Sequence, residues 1–371
     1  MTAPDTSVRQ AGDRQAPAPQ ILIRHMIFGR LLSQAVCAAA ELGLPELLAG
    51  GRRTAAQLAA ACGAEPQRLR RLLRALAAHG VFAAHPDGTF GPTPLSDALR
   101  ADAHGSALPT ALLAREAVGA AWDGLLGTVR GGRPAFDAVH GRPFFDSLAD
   151  EPHLRELFDR SQAHDLELEI DQILAAIDLS GRRVLVDVGG GDGAMLVRLL
   201  SAAPSARGVL LDTAEAAERA RPRIAAAGLD GRCSVVAGDF FASVPAGGDL
   251  YLLRQILHDW DDARCVELLR VCRAAMGPHA RLMIIEREAG PSGPADSNTR
   301  FAALMDLYMM SVLDGAERSV QEFQALLDQA GFTVAAVHRL ECAVIVIEAA
   351  PVETPGAAGA EAKTPFVRRG N

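Results

Sequence analysis

Aromatic side chains are scarce in this chain: they make up 5% of 371 residues, with only two tryptophans and two tyrosines. Where several of them gather, a reason has to be found. Cysteine is also thin. The six lie at 37, 62, 233, 265, 272 and 342, with no Cys-x-x-Cys pair and no histidines near enough in sequence to suggest zinc. That removes a metal-stapled fold and leaves reduced core thiols. No run of like charge stands out, and a formal charge of −8 argues against gripping a polyanion as the main task, although a local basic face could survive within it. Residues 1–20 are rich in Pro, Ala, Gln and Asp and lack an apolar signal core. The stretch Ile21 to Leu48 is broken by Arg24, His25, Arg30, Glu41 and Glu46. These absences point to a soluble, cytoplasmic protein with no membrane segment. Residues 1–20 and the Ala/Gly/Pro-rich tail 351–371 are expected to be disordered.

What is present is most informative between residues 184 and 193. Val184-Leu-Val-Asp-Val188 reads as an inner strand of a parallel sheet and runs directly into Gly189-Gly-Gly-Asp-Gly193 and a helix from Ala194 to Leu200. The glycines let bare backbone approach a ligand, and the helix N-terminus points to the same place. The Gly-x-Gly-x-Gly spacing is one residue tighter than the dinucleotide fingerprint, so NAD is not the natural ligand. Asp212 closes the next apolar run, Gly208 to Asp212, and is suited to accept hydrogen bonds from ribose hydroxyls. A nucleoside fits this combination, although glycines also end strands for purely structural reasons.

The length favours two domains. From Ile21 to about Leu99 short helices lead into a hairpin. Thr54 caps a helix that Gly63 stops, and Pro66 opens another with Leu69, Leu72, Leu73 and Leu76 on one stripe. Val81 to Ala84, a turn at His85 to Gly88, and Thr89 to Gly91 make a small wing. This reads as a winged helix. Arg68, Arg70, Arg71 and Arg74 decorate its second helix, as a solvated face rather than a DNA contact. Residues 101–180 read as helices carrying Trp122, Phe136, Phe144, Phe145 and Phe158. Core anchoring suits the first four, while Phe158 is equally placed to wall a flat ligand. From Gly181 onward, strands and helices alternate as in a doubly wound sheet. The runs Phe332 to Val337 and Ala343 to Ile347 are linked closely enough to form an antiparallel edge hairpin.

The glycine segment, Asp212, Gly238-Asp239-Phe240-Phe241 and Leu253-Arg-Gln-Ile-Leu-His258-Asp-Trp260 occur in the order and spacing of a known family. The chain resembles, over about residues 20–349, the S-adenosylmethionine-dependent small-molecule O-methyltransferases of bacterial natural-product pathways, relatives of the plant phenolic methyltransferases. Its His-Asp-Trp segment is the most specific part of the likeness. The resemblance implies a Rossmann-like class I methyltransferase domain with an antiparallel edge strand over 181–350. It also implies a winged-helix dimerisation domain over 21–100 that helps wall the partner's active site, and a helical substrate-lining segment over 101–180. S-adenosyl-L-methionine is the implied cofactor, and a homodimer acting on a small aromatic molecule, without nucleic acid, is the implied assembly.

Methyl transfer from a sulfonium needs an aligned acceptor and a base, because the donor is already activated. Neutral imidazole can take the proton of a phenol. His258 follows directly on a segment read as the strand Tyr251 to Leu257 and precedes Asp261 and Asp262, at a strand end where open α/β sheets hold ligands. A lone histidine at such a point also serves as an ordinary loop residue bonded to backbone. The resemblance assigns His258 as general base, with Glu286 and Glu317 as the carboxylates that orient it. It assigns Gly189, Gly191 and Asp212 to the methionine portion and ribose, Asp239 and Phe240 to adenine, and Arg254 to the adenosine region, with Asp187 in a supporting role. For substrate it implies Phe158, Gln162, Met305 and Met309. Two departures are visible: Gln162 stands where many members have Met, and Thr213-Ala214 follows Asp212 where Leu-Pro is common. No metal is required by this motif set. The rival readings are a family member that performs decarboxylation or hydroxylation instead, and a DNA-binding regulator built on the winged helix. These residues do not separate oxygen from nitrogen as the methyl acceptor.

Overall fold

A helix from Pro19–Glu41 opens the described part of the computed structural model, which covers residues 18–290 and 296–352. It starts just inside the segment 1–20 expected to be structureless, because a proline at the first helical position has its φ pre-set and no N–H to satisfy. At the other end, the last strand likewise keeps Pro351. The remainder of both tails, 1–17 and 353–371, lies outside the described residues. The chain divides into two units, one ending at Arg115 and the other beginning at Glu116.

In the first unit the expected caps are in place. Thr54 and Gln57 form a capping box at the start of helix Ala55–Cys62, and Gly63, in the left-handed region, ends it. Helix Pro66–Ala78 buries Leu69, Leu73 and Leu76 against Leu44, Leu48, Leu58, Phe82 and Phe90, while Arg68, Arg70, Arg71 and Arg74 are exposed on its outer face. Strands β1 (Arg53–Thr54), β2 (Ala83–Ala84) and β3 (Thr89–Gly91) form an antiparallel sheet with β3 in the middle. The long first helix packs only by its C-terminal half, where Cys37, Ala39 and Ala40 are buried. Met26, Ile27, Phe28 and Leu31 are between 66% and 73% exposed. By length and composition alone this helix could cross a bilayer.

The second unit is built on strands β4 (Val184–Val188), β5 (Arg207–Asp212), β6 (Cys233–Ala237), β7 (Leu250–Arg254), β8 (Arg281–Arg287), β9 (Phe332–Arg339) and β10 (Val344–Pro351). Their order is β6-β5-β4-β7-β8-β10-β9. The first five are parallel, and β10 runs antiparallel to both β8 and β9, the mixed sheet with an antiparallel edge that the sequence implied. Strand side chains alternate between two apolar layers. Val186, Val188, Tyr251 and Leu253 pack with helices Asp262–Ala275 and Val320–Gln329. Leu185, Leu210, Leu252 and Met283 pack with helices Pro152–Ala176 and Ala194–Ala202. Each such fully buried side chain contributes about 1.5–3 kcal/mol. Because β4 lies between β5 and β7, the chain winds outward in both directions from it. The crevice beyond the carboxyl ends of β4 and β7 is therefore the topological switch point where such sheets hold ligands.

Candidate active site

The loop after β4 forms one wall of that crevice. Gly189 has φ +72°, and a Cβ there would fall 2.5 Å from Ile256, so only glycine fits; Gly191, at φ +57°, faces open space. Asp212, at the end of β5, accepts from the Gly191 amide through Oδ2 at 2.8 Å and from Thr213 through Oδ1 at 2.7 Å. It thus fixes the loop and keeps lone pairs for further donors. Asp187 is 1% exposed and its Oδ2 has no partner. Burial, reinforced by Asp212 and opposed by Arg254, pushes its carboxyl up to about 7. On the next strand end, Asp239 accepts from the Phe241 amide at 2.8 Å, and the Phe240 ring lies 3.6 Å from the Cβ position of Gly189. An orphaned carboxylate below a side-chain-free loop, with a second carboxylate and an aromatic ring along its rim, fits a ligand bearing an ammonium, a ribose and a flat base.

The opposite wall begins where β7 ends. Apolar residues resume at Ile256 and Leu257, but the strand stops at Arg254, because Gln255 turns into the left-handed region at φ +53°. Here the expectation of a strand through Leu257 fails. This break frees two amides, Ile256 and Leu257, and Glu286 Oε1 at the end of β8 accepts both, at 3.0 and 2.8 Å. The turn they start, Leu257–Asp259, carries His258. His258 Nδ1 is 3.2 Å from Glu317 Oε1 and 3.5 Å from Glu286 Oε2, and the imidazole is buried with both carboxylates. With Glu286 and Glu317 on its Nδ1 side, the ring holds a proton there, and Nε2 is the nitrogen that can accept once the ring is neutral.

Burial favours the neutral ring, but Glu286, Asp259 and Glu317 together outweigh it and push His258 up to about 10. Burial also raises Glu286, with His258 opposing. Asp259, whose Oδ1 is 3.4 Å from His258 Nε2, is pushed up to about 7 by its burial against the pull of His258. The cluster is therefore a proton-holding unit whose strongest base is the imidazole.

Several supports were not legible beforehand. Arg318, beside Glu317 and 3% exposed, donates to the carbonyls of Leu257 at 2.8 Å and Trp260 at 2.7 Å and to Asp262 at 2.9 Å. It staples both ends of the histidine turn. Ala316 N donates to the His258 carbonyl at 3.0 Å, and Gly315 passes so close that a Cβ would sit 1.9 Å from that oxygen. Asp306 caps the Glu317 amide at 3.0 Å. The only sequence signal was the run Asp314-Gly-Ala-Glu-Arg318 itself.

The remaining expected residues are dispersed. Arg254 pairs with Glu169 at 2.7 Å, and its Nε has no hydrogen-bond partner. Gln162 Nε2 donates to the side-chain oxygen Oε1 of Gln255 at 3.2 Å, bracing the left-handed residue. Phe158 is half-buried in an aromatic cluster, 5.6 Å from Phe144 and 6.1 Å from Phe145. Phe136 and Phe144 are core, whereas Trp122, expected in a core, is 38% exposed. Met309 is buried and Met305 half-buried on helix Ser297–Val312.

Comparison with known proteins agrees with this geometry. An O-methyltransferase domain matches residues 122–333 and an O-methyltransferase dimerisation domain residues 24–102. The O-methyltransferase SfmM3 of Streptomyces lavendulae is 43% identical over 330 residues, covering 88% of this chain and 99% of that protein. The structure of the mitomycin 7-O-methyltransferase superposes with a TM-score of 0.83 at 37% identity, covering 90% of this chain and 98% of its own. An O-methyltransferase from neocarzinostatin biosynthesis, solved with S-adenosylmethionine and 2-hydroxy-5-methyl naphthoic acid, superposes with a TM-score of 0.76 at 35% identity, covering 86% of this chain and 96% of its own.

Proposed function

This chain belongs to the S-adenosylmethionine-dependent O-methyltransferases, and we propose that it methylates a phenolic hydroxyl of an aromatic natural product with His258 as general base. The observation that carries this reading is the His258–Glu317–Glu286 contact set at the switch-point crevice, opposite the glycine loop. When bound, S-adenosylmethionine supplies an activated methyl group. Asp187, Asp212 and the Gly189–Gly191 backbone hold its amino-acid and ribose portions, and Asp239 and Phe240 flank its base. His258 Nε2 takes the hydroxyl proton, and Glu317 and Glu286 stabilise the imidazolium through Nδ1. The relative solved with 2-hydroxy-5-methyl naphthoic acid bound supports a flat acceptor, for which Phe158, Met305 and Met309 are the candidate contacts.

The dimerisation-domain match supports a homodimer. Met26, Ile27 and Phe28 are consecutive, hence spread around the helix at about 100° intervals, and all are exposed. No face of the helix's first half is covered by its own unit, as suits a helix wrapped by a second copy. The biosynthetic relatives and the six unpaired cysteines support a cytoplasmic location.

The test is label transfer from methyl-labelled donor to a panel of phenols. His258→Ala should lower turnover by ~10²–10⁴, the usual share of a positioned base, with donor affinity retained. Donor binding without any label transfer would favour the decarboxylating or hydroxylating alternative, and an unchanged rate in the variant would remove His258 from the mechanism.

A further inference from the structure

The three side chains of the proton-holding unit have a second capacity. His258 Nδ1 and one oxygen each of Glu286 and Glu317 lie within 4.8 Å of one another. The two Nδ1–oxygen separations, 3.2 and 3.5 Å, bracket the spacing of about 3.4 Å between tetrahedral ligands whose bonds to zinc are ~2.0–2.1 Å, whereas the two carboxylates, held only within 4.8 Å, have to close toward that spacing as an ion binds. Glu286 Oε2 and Glu317 Oε2 are each buried without a hydrogen-bond partner, on side chains with no exposure. Two buried carboxylates against one imidazole leave negative charge that a single proton does not cancel, and a divalent ion would. One imidazole and two carboxylates suit zinc or cobalt better than magnesium or calcium, which favour all-oxygen shells.

We propose that His258, Glu286 and Glu317 form a site for a borderline divalent transition ion, with zinc as the natural occupant, and that occupancy inhibits the enzyme. In the donor-bound enzyme, where the neutral ring carries its single proton on Nδ1, the ion takes the Nδ1 lone pair and that proton moves to Nε2. The nitrogen that would accept the hydroxyl proton then carries it and becomes a donor. Ion binding stands on the geometry alone, whereas inhibition rests on His258 being the base. Because both carboxylates are fully buried, entry requires the histidine turn to open, so inhibition develops slowly after mixing.

Cobalt(II) titrated into the full-length protein should give a saturable visible band of a tetrahedral site at one equivalent per chain, displaced by zinc. Glu317→Gln and Glu286→Gln should each weaken it at least ~10-fold. In the unsubstituted protein, zinc should shift the Nδ1 resonance of His258 in a ¹⁵N spectrum, a readout that survives any folding defect in the variants. Turnover should fall with time after zinc addition and return with a chelator. A band insensitive to both substitutions, or an unmoved Nδ1 resonance, would overturn the site. Stoichiometric binding at His258 with undiminished turnover would instead overturn the base assignment and the inhibition with it.

Discussion

Gly315→Ala offers a test of the histidine turn that replaces neither the base nor its carboxylates. The added methyl carbon would fall 1.9 Å from the His258 carbonyl oxygen and 2.9 Å from the Asp259 carbonyl carbon. Contacts under 3.0 Å are essentially never tolerated by real Cβ atoms, and because the colliding atoms are backbone, no rotamer change relieves them. The loop and the turn must therefore separate by about 1 Å, which breaks the Ala316-to-His258 hydrogen bond and carries Glu317, two residues on, away from Nδ1. Misplacement of that size at a reacting centre costs roughly 10²-fold. The strain should also lower stability by ~1–3 kcal/mol, a fall of several degrees in melting temperature at ~2–4 °C per kcal/mol for a unit of this size. The glycine loop lies across the crevice, so S-adenosylmethionine affinity by calorimetry should stay near wild type. Radiolabel transfer gives turnover and a thermal melt confirms folding. Adding Glu317→Gln should cost little more, since both changes act on one contact. A folded Gly315→Ala protein with wild-type turnover would refute the idea that this close approach sets the geometry of the base.

Three other outcomes follow from the same structure. Asp212→Ala should weaken donor binding first and leave the His258 environment intact, and equal calorimetric affinities for variant and wild type would refute the ribose assignment. In the free protein His258 should stay protonated until near pH 10, because its carboxylate neighbours outweigh the effect of burial. The neutral, proton-accepting ring is gained as pH rises, so turnover should climb from pH 6 upward; a ¹⁵N titration midpoint near 6.5 would contradict this. A bound sulfonium is a like charge and should pull that midpoint down, whereas the uncharged thioether product should not. Phe28→Asp with Leu31→Asp should convert a dimer to monomers in analytical ultracentrifugation, and an unchanged dimer would place the interface elsewhere.

The strands were legible wherever a continuous apolar run met a breaker. Val184–Val188 and Cys233–Ala237 have the bounds their residues suggest: the first is a buried inner strand and the second a partly exposed edge strand, and each carries β-branched valines and runs into a glycine. The end of β7 was not legible. Gln255 adopts a left-handed conformation that its residue type does not advertise, and it is supported from distant segments: Gln162 bonds its side chain, and Glu286 accepts the two amides that follow it. His258, Glu286 and Glu317 could be named through a family likeness, but their meeting depends on three separate chain segments. Beyond its place in the run Asp314 to Arg318, nothing local marks Arg318 as buried, since an arginine before a helix cap is ordinarily a surface charge. The pairing of Arg254 with Glu169, 85 positions earlier, is likewise a product of tertiary folding alone.

The proton-handling unit is assembled almost wholly from the ends of β7 and β8 and the short loop at 314–318, whereas the aromatic cluster around Phe136, Phe144 and Phe158 belongs to helices that precede the sheet. On the proposed assignments, the chemistry and the Phe158 wall of the acceptor pocket come from different stretches of chain, while Met305 and Met309 lie on the later helix Ser297–Val312. Exchanging the helical block 135–158 among family members should reshape what is accepted while leaving the methyl-transfer engine untouched, the kind of separability that lets one scaffold diversify across many acceptors.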